Sequence, residues 1–449
     1  MKSFPPSLLH YASFRKAFAV SCLSALVHTG SALATIYYVS PSGSDSNSGS
    51  PSHPLATVAK ALTYATASGD QIQLAAGTYN VPDTIGGYED GNAYAAVNIL
   101  TSANSGITIE ANPSDTSRPV LNFSAINPSG YRIAAFWVPS GVSNVTFAGF
   151  DVTAVQENIT TTNNQSIGIA VYGATGCNFN EVNVHDGDCV GFFLEDASSN
   201  NTFTNCDSYN NAGINSYSYG NADGFGCHPA AGGTGNVYNG CRSWNNSDDG
   251  FDCINAAEPV TFEHCWSYKN GNNGGNGNGF KVGGWGSQPQ DEIPDPLPAH
   301  TVTNCLAADN SANGFYTNHQ PSGPGSATVI QDCTTYDNNT GYNMLERTPP
   351  NYSSSSPQTD SNDISGTNVA LHYNLAFADT AALTANLADG ASLESNNTFQ
   401  NSPALTSSDF ESTTASQITN ARQSNGALPA ITFMVPVSGT PAAGFGYTQ

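Results

Sequence analysis

Positive charge is what this sequence has least of. Its 449 residues carry 11 Lys and Arg against 35 Asp and Glu, for a formal net charge of −24 at pH 7. A nucleic-acid-binding surface needs a basic footprint, and this surface repels phosphate. If the natural ligand is itself a polyanion, something other than lysine and arginine has to carry the positive charge. Long apolar runs are also missing, which argues against a membrane partner. The densest stretch, Ala17 to Val27, is too short for a span. It follows Lys2, Arg15 and Lys16 and precedes Ser31-Ala32-Leu33-Ala34, the arrangement of a secretory signal cut near Ala34. The expectation is a secreted, extracellular, monomeric chain, with a signal peptide over 1–34 and a single domain with a C-terminal extension over 35–449. The cations left after the signal are Lys60, Arg118, Arg132, Arg242, Lys269, Lys281, Arg347 and Arg422. Of ten cysteines, Cys22 belongs to the signal. The rest are odd in number, in a chain too long to need disulfide staples.

What the sequence does have is repetition. Thr202-Phe-Thr-Asn-Cys206-Asp-Ser-Tyr-Asn is echoed by Val237-Tyr-Asn-Gly-Cys241-Arg-Ser-Trp-Asn and Thr261-Phe-Glu-His-Cys265-Trp-Ser-Tyr-Lys. Further copies centre on Cys305 and Cys333, and an earlier one places Val182 at the cysteine position. A glycine-aromatic pair follows each copy: Gly191-Phe192, Gly224-Phe225, Gly250-Phe251, Gly279-Phe280, Gly314-Phe315 and Gly341-Tyr342. The shortest complete units, Val182 to Cys206 and Cys241 to Cys265, are 24 residues long, and the others read as the same unit with inserted loops. Short alternating β segments at this period, with Gly/Asn-rich turns and no recurring helical pattern, predict an all-β parallel β-helix rather than a leucine-rich horseshoe. Stacking then turns the landmark cysteines into an interior column of small buried groups. A bond between Cys227 and Cys253 is conceivable, because both lie three residues after their glycine. A helical period from Pro54 to about Ala67 predicts a short N-terminal capping helix. Val369 to Phe377 and Ala430 to Val435 read as β segments.

The repeat alignment also carries geometry. Asp223 and Asp249 each stand one before the glycine landmark in successive coils, Asp248 stands two before, and Asp252 two after. Lys281 occupies the position two after in the next coil. Equivalent positions stack about 4.8 Å apart, so Asp223 should lie over Asp249, and Asp252 over Lys281. Aspartates before glycine are ordinary turn residues when taken singly. Four converging on two coils repel one another and need a cation. All-oxygen ligands at an irregular turn suit Ca²⁺ better than Mg²⁺.

The residues Asn221-Ala-Asp-Gly-Phe, Cys241-Arg-Ser-Trp-Asn-Asn-Ser-Asp248-Asp249-Gly-Phe-Asp252 and Gly277-Asn-Gly-Phe-Lys281-Val-Gly-Gly closely resemble polysaccharide lyase family 9. The resemblance covers roughly Ile36 to Met344 and includes the Tyr-Val-Ser-Pro-Ser-Gly-Ser-Asp opening. It implies a right-handed parallel β-helix and a pectate lyase-like enzyme acting on an acidic polysaccharide such as polygalacturonate or pectin. It also implies a catalytic Ca²⁺ held by Asp223, Asp248, Asp249 and Asp252, with Lys281 as Brønsted base. A lysine base implies an alkaline optimum. Arg242, beside an inward cysteine, is expected to face outward, either to grip a uronate carboxylate or as a plain surface arginine. Lys269, Arg347 and Trp285 lie in or near the same coils. Two other readings stay open. One is a pectin-class hydrolase on the same fold, using aspartic acids and water, although the Arg-x-Lys element of polygalacturonase-like enzymes is not found. The other is a non-catalytic carbohydrate-binding or adhesive β-helix in which Ca²⁺ is a structural staple.

Overall fold

Short strands stack coil upon coil along three long faces. The computed structural model describes residues 34–91, 93–159, 165–214, 219–285, 288–323, 327–388, 394–401 and 404–448. The export signal expected over 1–34 lies, up to residue 33, outside the described residues. Among the described residues, strand pairing within these faces is parallel almost throughout, in sheets of 12, 10 and 11 strands. Each coil gives one strand to each sheet. Thr202–Thr204, Asp207–Tyr209 and Phe225–Cys227 are one such set, and Asn236–Asn239, Arg242–Trp244 and Phe251–Asp252 are the next. This is the parallel β-helix that the repeats predict. The 11-stranded sheet is the one that matters for chemistry, and we call it the front sheet.

The repeat landmarks are the coil's inward positions. Phe192, Phe225, Phe251, Phe280, Phe315 and Tyr342 pair in register along the front sheet. Their rings stack with centroids 4.7–5.2 Å apart and planes within 10°. That separation is set by the spacing of hydrogen-bonded strands. A second stack, Phe147, Phe179, Phe203, Tyr238 and Phe262, lines the 12-stranded sheet. Glycine precedes the front-sheet aromatic because the backbone there is pressed against the next coil. A Cβ on Gly250 would lie 2.5 Å from the Gly279 carbonyl oxygen and 2.5 Å from Ser267 Oγ.

Cys206, Cys241, Cys265, Cys305 and Cys333 are buried and free. Their thiols donate to carbonyls of the preceding coil, as from Cys241 Sγ to Phe203 O at 3.3 Å. Cys227 and Cys253 are free as well, so the conceivable bond between them is not made. The capping helix is shorter than its apolar period: Val58–Leu62, N-capped by Thr57. Val369–His372 and Leu375–Phe377 are strands, but Ala430 to Val435 is not, with Phe433 making only an isolated bridge to Ser412. That segment belongs to a chain end that drapes over the 10-stranded sheet. Phe410, Ile418, Phe433, Met434 and Tyr447 there pack on Trp266, Leu306 and Leu375. No helix among the described residues is long and apolar enough to cross a membrane.

Candidate active site

On the front sheet, Gly226 pairs with Asp252, Asp252 with Lys281, and Lys281 with Tyr316. Because Phe251 and Phe280 point inward, Asp252 and Lys281 one residue later point out, as the two-residue period of a strand requires. Just before the strands, Gly224 N donates to Asp249 O, and Gly250 N to Asn278 O. Asp223, Asp249 and Asn278 therefore occupy one column on successive coils.

Local hydrogen bonds fix each carboxylate. Asp223 Oδ1 accepts from Asp249 N at 3.0 Å. Asp248 is held at both oxygens, by Asn221 N at 2.7 Å and Asn276 N at 2.6 Å. Asp249 Oδ1 accepts from Asn278 N at 2.6 Å and from its Nδ2 at 2.8 Å. Asp252 Oδ1 accepts from Ile254 N at 2.7 Å, and its Oδ2 accepts from Lys281 Nζ at 2.9 Å. Lys281 Nζ also lies 3.1 Å from Asp249 Oδ2, an ion pair without hydrogen-bond geometry. All five residues are buried, none more than 6% exposed.

Packing four acids and one ammonium out of water sets the electrostatics. Burial, then the charges of Asp248, Asp252 and Asp249, hold the Asp223 carboxyl well above the usual carboxylate range. Asp249 is pushed up to about 7, by burial first and then by Asp248 and Asp252, against the pull of Lys281. Burial also raises Asp248, partly offset by Lys281 and by the two backbone donors. Burial disfavours the Lys281 ammonium, but Asp252, Asp249 and Asp223 outweigh it and hold the amine well above an ordinary lysine. This is a pocket with surplus negative charge.

The donors fit a hard divalent cation. Asp223, Asp248 and Asp249 each offer an oxygen, all within 4.8 Å of one another. Asp249 Oδ2 is buried with no hydrogen-bond donor. Asp252 stands beside this group, engaged with Lys281. The five residues expected to converge are thus all brought together, three as an oxygen cluster and two as an adjoining acid-amine pair.

Arg242 needs correction. It does leave the coil outward, but from the 10-stranded sheet, with its side chain only 4% exposed. Its Nε and Nη2 bond Asp207 at 2.9 and 2.7 Å, and Nη1 bonds the carbonyls of Ile418 and Asn420, both at 2.8 Å. The draped chain end covers it, so it is not available to a uronate. Arg347 is likewise committed, to Asp360 and Asp363, which His319 joins. That histidine and the two acids form a second cluster, both of whose acids are paired with the one guanidinium. Trp285 packs with Ile293 and Leu297, and Lys269 sits over the Tyr268 ring. Sequence reasoning missed Asn278, the double donor to Asp249. Its position, one before Gly279, is the signal that could have found it.

Comparison with known proteins agrees with the geometry. Residues 37–374 match the family described as Pel9A-like, right handed beta helix region. A pectate lyase L of Dickeya dadantii is 30% identical over 426 residues, covering 92% of this chain and 85% of the relative. Pectate lyase PEL9 of Emericella nidulans is 30% identical over 313 residues, covering 64% of this chain and 71% of the relative. Among solved structures, a rhamnogalacturonan lyase superposes with a TM-score of 0.79 at 32% identity, covering 92% of this chain and 99% of that one. Pectate lyase Pel9A superposes with a TM-score of 0.68 at 26% identity, covering 92% and 91%. Family match, relatives and fold converge on one statement: the chain belongs to polysaccharide lyase family 9, the Pel9A-like right-handed β-helix lyases.

Proposed function

We propose that this lyase is an exported, monomeric, calcium-dependent pectate lyase that cleaves polygalacturonate-type chains by β-elimination, with residues 35–449 acting as one domain. The observation that carries the reading is Lys281 Nζ set 2.9 Å from Asp252 and 3.1 Å from Asp249 at the edge of a buried oxygen cluster. Asp223, Asp248, Asp249 and Asp252 would hold Ca²⁺, which would offset their charge and that of a bound uronate and acidify the C5 proton. The aspartate charges hold the Lys281 amine protonated; with those charges offset by the ion, the amine would be released to its neutral form and would take that proton at Nζ. The C4–oxygen bond then breaks, leaving a C4–C5 double bond on one product, while the departing oxygen takes a proton from water to become the hydroxyl of the other. The backbone donors from Asn221, Asn276 and Ile254 keep the carboxylates in place without side-chain rearrangement. A cation in this pocket also answers the charge problem, because an acidic surface with few free cations has to receive an acidic polymer.

The test is incubation with polygalacturonate, followed in the ultraviolet, with and without a calcium chelator. Unsaturated product that appears only with Ca²⁺ is expected; saturated reducing ends would mean hydrolysis and end the proposal. Lys281→Ala should lower kcat by roughly 10²–10⁴-fold, the range for loss of a proton-transfer group, yet leave the fold and calcium uptake intact. Equal turnover by that variant would exclude lysine as the base. A second substrate reading rests on the 32% identity to a rhamnogalacturonan lyase along nearly all of that chain. Rhamnogalacturonan belongs in the same assay, and preferential release of unsaturated product from it would move the substrate while leaving the chemistry.

A further inference from the structure

The column that supplies Asp223 and Asp249 does not stop at the acids. Its next members are Asn278 and Asn313, and side-chain amides continue behind them. Asn278 Nδ2 donates to Asp249 Oδ1 at 2.8 Å, and Asn313 Nδ2 to Asn278 Oδ1 at 2.7 Å. Asn343 Nδ2 donates to Asn313 Oδ1 at 3.0 Å, and Asn386 Nδ2 to Asn343 Oδ1 at 2.7 Å. The direction of this file is not arbitrary. Asn313 N donates to Asn278 Oδ1 at 3.4 Å, and a backbone N–H can only donate, so the Asn278 amide must turn its nitrogen toward Asp249. Every amide in the file therefore points its donor the same way, and the file ends on a carboxylate.

The end of the file is asymmetric. Asp249 Oδ1 receives two donors from Asn278, whereas Oδ2, completely buried, receives no hydrogen bond and looks toward Lys281 and the neighbouring acids. An asparagine at position 249 would have continued the file by offering an N–H to Asp223. The aspartate offers a bare oxygen there instead. Two coils of an asparagine ladder have in effect been converted into ligands, and the unconverted members brace them.

We propose that Asn278, backed by Asn313, is a positioning residue for the cation pocket. By saturating Asp249 Oδ1 it fixes the carboxylate's plane and reserves Oδ2 for the ion. The inference rests on the calcium reading above. Outer partners that orient a ligand typically change metal affinity about 10–100-fold when removed.

The test is direct calcium titration of the full chain by calorimetry, together with the calcium dependence of initial rates. Asn278→Ala should weaken Ca²⁺ binding about tenfold or more and recover most of kcat at saturating Ca²⁺. Asn313→Ala, which leaves Asn278 in place, should weaken it less, about two- to threefold, and carries the test if the first variant does not fold. Asn338→Ala, which removes an amide that accepts from Asn310 and donates to Asp379 in a separate interior file, should lower the melting temperature without changing calcium affinity. Asn278→Ala and Asn313→Ala that bind Ca²⁺ as tightly as the parent would overturn this inference alone. A parent chain that takes up no Ca²⁺ would overturn the proposed function, and this inference with it.

Discussion

Asn211, Asn246, Asn270, Asn310 and Asn338 form an interior file, each Nδ2 donating to the next Oδ1 at 2.9–3.1 Å. The last amide donates to Asp379 Oδ1 at 3.0 Å, and Thr335 Oγ1 donates to Asp379 Oδ2 at 2.7 Å. An ionised carboxylate suits the end of such a file because it accepts and has nothing left to donate. It is also a partly buried acid with no cation beside it among the described residues. Burial pushes it up to about 7 against the donors of Thr335 and Asn338. The folded state then holds a proton that the unfolded state, near pH 4, has released. Its contribution is fully present below the unfolded value and is lost as pH rises toward 7. Asp379→Asn should flatten this loss and raise stability at pH 8 by about 1 kcal/mol. Thermal melts from pH 4 to 8 check it; a variant with the parent's slope would show that the acid does not titrate in this range. Single residues were unevenly legible. The four aspartates and Lys281 stood out because they share positions in a repeat. Asn278 shares the same position but is one of many asparagines, and its amide has meaning only once Asp249 is known to lie behind it.

The elements were legible wherever a landmark recurs, because each coil must bury the same inward positions against its neighbours. The glycine of the landmark is a requirement of this packing rather than of backbone dihedrals. At Gly191 a Cβ would meet Ser208 Oγ at 2.0 Å and the Gly224 carbonyl oxygen at 2.6 Å. The serine can rotate; the backbone oxygen of the adjoining coil cannot without moving the strand. Gly191→Ala is therefore expected to destabilise the fold by about 1–3 kcal/mol, the usual range for an overpacked interior. Urea titration measures it, and a cost below a few tenths would mean that the coils are not in this contact. Elements without a landmark were read less well. The capping helix is cut to Val58–Leu62 although apolar spacing runs on to Ala67, and Ala430 to Val435 has strand-like residues but no coil to pair with. Local pattern carries no information about whether a partner strand remains to be paired.

At the scale of the whole molecule, the chain end is fastened to the 10-stranded sheet by a buried charge triad. Arg242 and Arg422 both bind Asp207, and Arg242 also holds the carbonyls of Ile418 and Asn420. Burial alone would raise the Asp207 carboxyl, but Arg422 and Arg242 outweigh it and keep it below the usual carboxylate range. The stabilisation is therefore present above about pH 4 and is lost as pH falls through the lowered folded value. Removing the acid leaves two guanidinium groups buried without their anion. Asp207→Asn is expected to cost about 3–5 kcal/mol and to make residues beyond 404 an early target of limited proteolysis. The same triad decides what Arg242 does. An arginine that grips substrate would raise KM when replaced, with stability little changed. Clasped under the chain end, on a different sheet from Lys281, it should do the reverse: Arg242→Met lowers the melting temperature, while the folded protein keeps its KM. A raised KM at unchanged stability would return Arg242 to the substrate.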